Sequence, residues 1–190
     1  MTLHQPDLAT RQELPDALRV LVREIPRAGW AEHQNYSQLI DFWLNRHMMF
    51  RQLLEQLTQD SQAALDRSMD PRTYKARLHR FGGLLINELH GHHMIEDMHY
   101  FPSMAKLDSR VSAGFDILDS DHHAMDAQLQ RLAQGANDAL QAGDDAAVRE
   151  GAGQFSKTLS DFAPLLNRHL LDEEELVVPV LLKYAPAEFR

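Results

Sequence analysis

At 190 residues the chain suits one domain, since single cores commonly hold about 100–200 residues. The composition is that of a globular protein, 44% hydrophobic and 25% charged, and the formal net charge of −9 argues against nucleic acid or an anionic membrane surface as the main partner. The absence of cysteine removes disulfides, thiolate metal sites and cysteine nucleophiles together.

No basic region followed by an apolar stretch opens the sequence, so no secretory signal is expected. The longest apolar run, Leu176 to Leu182, is too short to span a bilayer, and the expected compartment is the cytoplasm. Apolar residues recur at spacings of three and four throughout, which predicts an all-α fold. Residues 1–32 read as a short N-terminal extension with one helix over about 13–24, ending before Pro26. Helix A follows over about 33–66, carrying Leu39, Ile40, Trp43, Leu44, Phe50, Leu54 and Leu57. Asp70 as cap and Pro71 at the first helical position open helix B, about 71–100, which Pro102 is expected to end. Helix C runs from near Ser109 to Gln141. Helix D covers about 145–178, with a kink at Pro164, Pro179 near its end, and a last turn or two reaching Tyr184. Four long helices with short connections make residues 33–190 an antiparallel, up-down four-helix bundle.

The bundle also reads as an internal duplication. With His47 placed over His122, apolar residues coincide at Ile40 and Phe115, Phe50 and Met125, Leu54 and Leu129, and Leu57 and Leu132. With His92 over His169, the matches are Leu85 and Phe162, Leu89 and Leu166, Tyr100 and Val177, Phe101 and Val178, and Pro102 and Pro179. The two offsets, 75 and 77 residues, nearly agree, so a pseudo-twofold relates two helical hairpins.

The duplication selects a constellation. Residues at i and i+4 share a helix face, so His92 with Glu96, and His169 with Glu173, each aim one imidazole and one carboxylate at a common point. His47 and His122 lie on the apolar stripes of helices A and C. A lone histidine on an apolar face is more often a hydrogen-bonded core residue, and an isolated His-x-x-x-Glu is common on solvated helices. Two such pairs in equivalent slots, facing two in-register histidines, point instead to a metal site with six ligands: His47, His92, Glu96, His122, His169 and Glu173. Imidazole and carboxylate donors suit borderline divalent ions such as Fe, Mn, Co, Ni or Zn. The two carboxylates can bridge a pair of ions, and six protein donors leave a position open for a small ligand.

Register also sorts the neighbours. His123 lies on a polar face. The acidic run at 172–175 is expected to be mostly solvated with one inward member, Glu173, and Glu174 as its rival. His93 and Asp97 form their own i, i+4 pair about 100° further round and read as outer partners of the ligands or as interhelical partners. His99 is placed to line the small-ligand pocket, and His90 to face outward. Met48, Met49, Met94, Met98, Met104 and Met125 read as packing. His4, His33 and His79 have no partner at helical spacing.

These residues resemble the hemerythrin, or HHE cation-binding, family. The likeness rests on His47, on His92-His93-x-x-Glu96-Asp97 leading to Phe101-Pro102, on Asp121-His122, and on His169-x-x-x-Glu173-Glu174 leading to Pro179, across about 36–184. It implies a four-helix bundle around a non-haem di-iron centre, two iron ions with carboxylate bridges and a site for O2, NO or peroxide. The chain departs from the oxygen-carrying members, which take two histidines four apart from the third helix; here Asp126 follows His122 at that spacing. They also place an aspartate five after the last histidine, where this chain has Glu173 at four and Glu174 at five. That shifts the expectation from O2 carriage to sensing or binding of O2, NO, peroxide or iron in stress or redox response. A di-iron oxidase or peroxidase, and a metal-free helical interaction module, are the alternatives. Residues 1–32 are open to two roles, covering the bundle end or mediating homodimerisation.

Overall fold

The computed structural model describes residues 7–189; His4 lies outside them. The chain is all-α, with no strand among the described residues. A 3-10 turn at Asp16–Leu18 and the short helix α1 (Val20–Glu24) precede four long helices: α2 (Gln38–Leu65), α3 (71–104), α4 (Ser112–Gln141) and α5 (Asp145–Tyr184). No helix among the described residues is long and apolar enough to cross a membrane.

Local chemistry sets the boundaries. The Asp70 carboxylate accepts from the N–H groups of Arg72 and Thr73 at 3.1 and 3.0 Å, and Pro71 occupies a position whose N–H would have no partner. Asp144 caps α5 in the same way, through Ala146 and Ala147, both at 2.9 Å. After α2 the chain reverses at Arg67, in the left-handed region at φ 61°, and Ser68 and Met69 donate back to the Ala63 carbonyl at 3.0 Å.

Pro102 does not end its helix, contrary to the sequence expectation. Helix α3 contains two π turns, Leu78–Gly82 and Glu96–Tyr100, and the second lies immediately before Phe101 and Pro102. There the Phe101 N–H bonds the Glu96 carbonyl, and the wider turn accommodates a residue that lacks an N–H and crowds the turn before it. The helix therefore continues to Met104. Helix α5 likewise runs through both Pro164 and Pro179 to Tyr184.

Each long helix lends one end to each of two compact units. In the first, made of residues 7–48, 93–123 and 167–189, the N-terminal Leu14, Leu18, Leu21 and Trp30 share one buried apolar cluster with Phe101, Met104 and Val178. Side chains of this size contribute about 1.5–3 kcal/mol each when fully buried, so the N-terminal segment is an integral layer of this unit. Trp30 is fixed further by its Nε1–H, which donates to the Ile25 carbonyl at 2.9 Å.

The second unit, residues 49–92 and 124–166, packs Phe50, Tyr74, Leu85, Leu129, Phe155 and Phe162. Apart from half-buried Tyr100 and exposed Pro102, the apolar residues paired by the duplication are buried in both halves. Helices α4 and α5 approach closely at Gly151, where a Cβ would fall 2.9 Å from the Ala139 Cα. The obstacle is backbone and cannot swing aside. Gly151→Ala is therefore expected to destabilise by about 1–2 kcal/mol, with overpacking exceeding a helix-propensity gain of about 1 kcal/mol. Gly153→Ala, whose nearest neighbour is the Leu65 Cδ2 at 3.4 Å, is expected to be neutral or stabilising. Urea-unfolding midpoints of the two variants separate these outcomes.

Candidate metal centre

The interior of the first unit holds polar residues as well as apolar ones. His47, His93, Glu96, Asp121, His122, His169, Asp172, Glu173 and Glu174 are all buried. Removing such groups from water is costly unless they are paired, and three histidines are paired by one rule. Nδ1 of His47 meets Glu174 Oε1 at 3.0 Å, Nδ1 of His122 meets Asp97 Oδ1 at 2.7 Å, and Nδ1 of His169 meets Asp121 Oδ2 at 3.4 Å. An ionised carboxylate only accepts, so each Nδ1 donates, and the neutral ring keeps its lone pair on Nε2.

The three Nε2 atoms face a shared centre. His47 Nε2 lies 3.2 Å from Glu173 Oε1, and His169 Nε2 lies 3.4 Å from Glu173 Oε2. His122 Nε2 lies 3.5 Å from Glu96 Oε2 and 3.1 Å from His169 Nε2. The indole N–H of Trp43 donates to Glu173. Two donor groups result: His47, Glu96 and Glu173 place ligand atoms within 4.8 Å of one another, and so do His93, His122 and His169. Glu173 touches a histidine of each.

The electrostatics follow from burial and contact. Burial raises the Glu96 carboxyl and the charge of Glu173 raises it further, well above the ordinary range. Burial pulls His169 down, but the hydrogen bonds to Asp121 and Glu173 prevail and hold it at about 9. His47 shows the same contest, burial against Glu173 and Glu174, with a net rise. His122 is lowered, by burial first; its hydrogen bond to Asp97 opposes and the charge of His169 adds. Imidazoles fixed through Nδ1 by carboxylates, with Glu96 and Glu173 beside their Nε2 atoms, are the donor chemistry of a divalent transition-metal site once the rings have shed their Nε2 protons.

Of the residues expected from sequence, His47, Glu96, His122, His169 and Glu173 come together in the first unit. His92 is the last residue of the second unit and stands one turn before Glu96 on α3. Four expectations are corrected. His93 is an interhelical partner, stacking on the His122 ring at 3.9 Å between centroids, but it is more than that: it is buried and joins the three-histidine group. The signal was available, because Glu96 is four residues from His92 and three from His93 and so lies between their directions. The acidic run is not mostly solvated, since Asp172, Glu173 and Glu174 are all buried, under Arg11, Arg168 and Arg27. His99 is exposed, because the π turn at Glu96–Tyr100 shifts the inward face by one residue. Met104 and Met125 pack in the interior, but Met48, Met94 and Met98 are exposed.

No curated protein and no solved structure matches the chain. The family model described as hemerythrin HHE cation binding domain matches residues 38–181, a span that includes every donor named above. The chain belongs to the hemerythrin HHE cation-binding family, a family of metal-binding domains.

Proposed function

We propose that the chain is a non-haem di-iron protein that binds or senses a small ligand such as O2, NO or peroxide, or iron supply itself, within an up-down four-helix bundle. The observation that carries this reading is Glu173, whose two oxygens face His47 at 3.2 Å and His169 at 3.4 Å, one histidine from each donor group. A carboxylate so placed can bridge two ions. In this reading His47 and His92 hold one iron, with His92 directed to it by its one-turn spacing from Glu96 on α3. His93, His122 and His169 hold the other, and Glu96 and Glu173 lie between them. His93 thus supplies the fifth imidazole that α4 lacks. With two imidazoles on the His47 side against three on the other, an ion held by His47 and His92 would have the more room for a small ligand. Mixed imidazole and carboxylate donors suit iron and would also accept Mn or Zn.

Anaerobic loading with Fe(II), followed by elemental analysis and an optical spectrum before and after azide, tests this. The expected result is two irons per chain and a charge-transfer band that shifts with azide. Protein that retains no transition metal after loading overturns it.

A further inference from the structure

The family match begins at residue 38, yet the segment before it reaches the metal centre. Arg11 is buried, with 5% of its surface exposed. Its Nε donates to Asp172 Oδ2 at 2.8 Å, one terminal nitrogen donates to Asp121 Oδ1 at 3.2 Å, and the other is paired with Asp121 Oδ2. That same Oδ2 accepts from His169 Nδ1. Arg168 holds the site from the other side, pairing with Asp172 and with the Gln12 carbonyl. Arg27 repeats the pattern: it donates to Glu174 Oε2 at 2.6 Å while Glu174 Oε1 accepts from His47 Nδ1 at 3.0 Å. Its guanidinium lies 4.6 Å over the Trp30 ring, which anchors it to the buried cluster.

From these contacts we infer that the N-terminal segment completes the metal centre: Arg11 and Arg27 are positioning residues that fix, through Asp121 and Glu174, one metal-binding histidine in each of the two donor groups. The physical reason is common to both relays. A carboxylate behind an imidazole orients the ring as a ligand only while it is itself held still. A buried carboxylate that meets only a histidine is otherwise free to rotate. A guanidinium on its other side prevents that, because it presents fixed, forked donors. The two relays differ in depth. Arg11 is enclosed, whereas the side chain of Arg27 is 48% exposed, so the His169 relay is permanent and the His47 relay is open to solvent and salt.

The inference rests on the metal-centre reading, and its test separates the two. Co(II) serves as probe on the full-length chain, with affinity measured by competition with a chromophoric chelator and ligand geometry read from the visible d–d bands. Arg11→Gln and Arg27→Gln are compared with Arg11→Lys and Arg27→Lys, and circular dichroism reports the fold of each. Loss of an outer partner typically weakens metal binding about 10–100-fold. Arg11→Gln is expected in that range with altered bands, Arg27→Gln at its lower end, and the lysine variants between these and the original chain. If Arg11→Gln fails to fold, Arg27→Gln decides the matter. Folded glutamine variants with unchanged affinity and bands overturn the inference and leave the metal centre standing. A wild-type chain that binds no Co(II) overturns both.

Discussion

Glu173→Ala is expected to abolish tight metal binding while leaving the helices intact. Glu173 is the carboxylate within 3.4 Å of Nε2 on His47 and on His169, so its removal takes a ligand from both donor groups. It also relieves charge crowding, because Glu96 is pushed up by burial and then by Glu173. The variant also loses the Trp43 hydrogen bond and the His169 and His47 contacts, so the metal-free form is expected to keep its helices at a lower melting temperature. Glu174→Ala provides the contrast. Glu174 meets the opposite nitrogen of His47, at 3.0 Å, and acts from outside the ligand shell. Its loss should weaken binding about 10–100-fold, and loss of Glu173 by more than about 100-fold. The readouts are metal content after desalting and the rise in melting temperature on loading, which vanishes when binding does. A larger loss for Glu174→Ala than for Glu173→Ala would reverse the assignment of the two glutamates.

The metal-free protein is expected to lose stability as pH rises from about 6.5 to about 9, the window set by His169. Its folded value lies above its unfolded one, so the charged ring between Asp121 and Glu173 stabilises fully below about 6.5, and the contribution disappears as pH passes through about 9. His47, also raised, acts in the same direction. Glu96, raised as well, is stabilising while protonated and loses that contribution as pH climbs from the ordinary glutamate range. His122, lowered by burial, opposes them and costs stability only on the acid side. For His169 alone the fall in melting temperature is on the order of 10 °C. Metal loading should invert the trend, since the same groups must shed protons to become ligands and apparent affinity climbs with pH. Melting curves at several pH values, with and without Fe(II) under anaerobic conditions, give both slopes. A metal-free melting temperature that is flat across the window would show that these histidines are not charged in the folded chain.

Much of the candidate site is legible in the sequence, and the reason is periodicity. Matching His47 with His122 and His92 with His169 places apolar residues on common stripes, and those residues, half-buried Tyr100 and exposed Pro102 apart, are buried. The capping of α3 by Asp70 and Pro71 was equally plain, because it depends on neighbours in sequence. What escaped depends on contacts between distant segments or on departures from α geometry. Asp121 and Asp172 look like any acidic residues on a helix; only their pairing with Arg11, more than a hundred positions earlier, brings them inside. His93 was set aside by a rotation of about 100° from His92, which is correct for the helix but ignores that Glu96 serves both directions. Pro102 and His99 both depart from the sequence expectation for one reason, the π turn between Glu96 and Phe101.

That turn bears on how portable the metal-binding motif is. Along α3 the buried positions step through Leu85, Leu89, His93 and Glu96 at intervals of three or four, then jump five residues to Phe101 before Met104. Transplanting residues 92–104 onto a straight scaffold helix would deliver the ligands in register yet swing Phe101 and Met104 about 100° out of the core. The graft would carry the donors without the apolar floor beneath them. Deleting a single residue from the π segment would have the opposite effect in the native chain: the jump of five becomes an ordinary step of four, and a regular helix would then keep Phe101 and Met104 on the inward face.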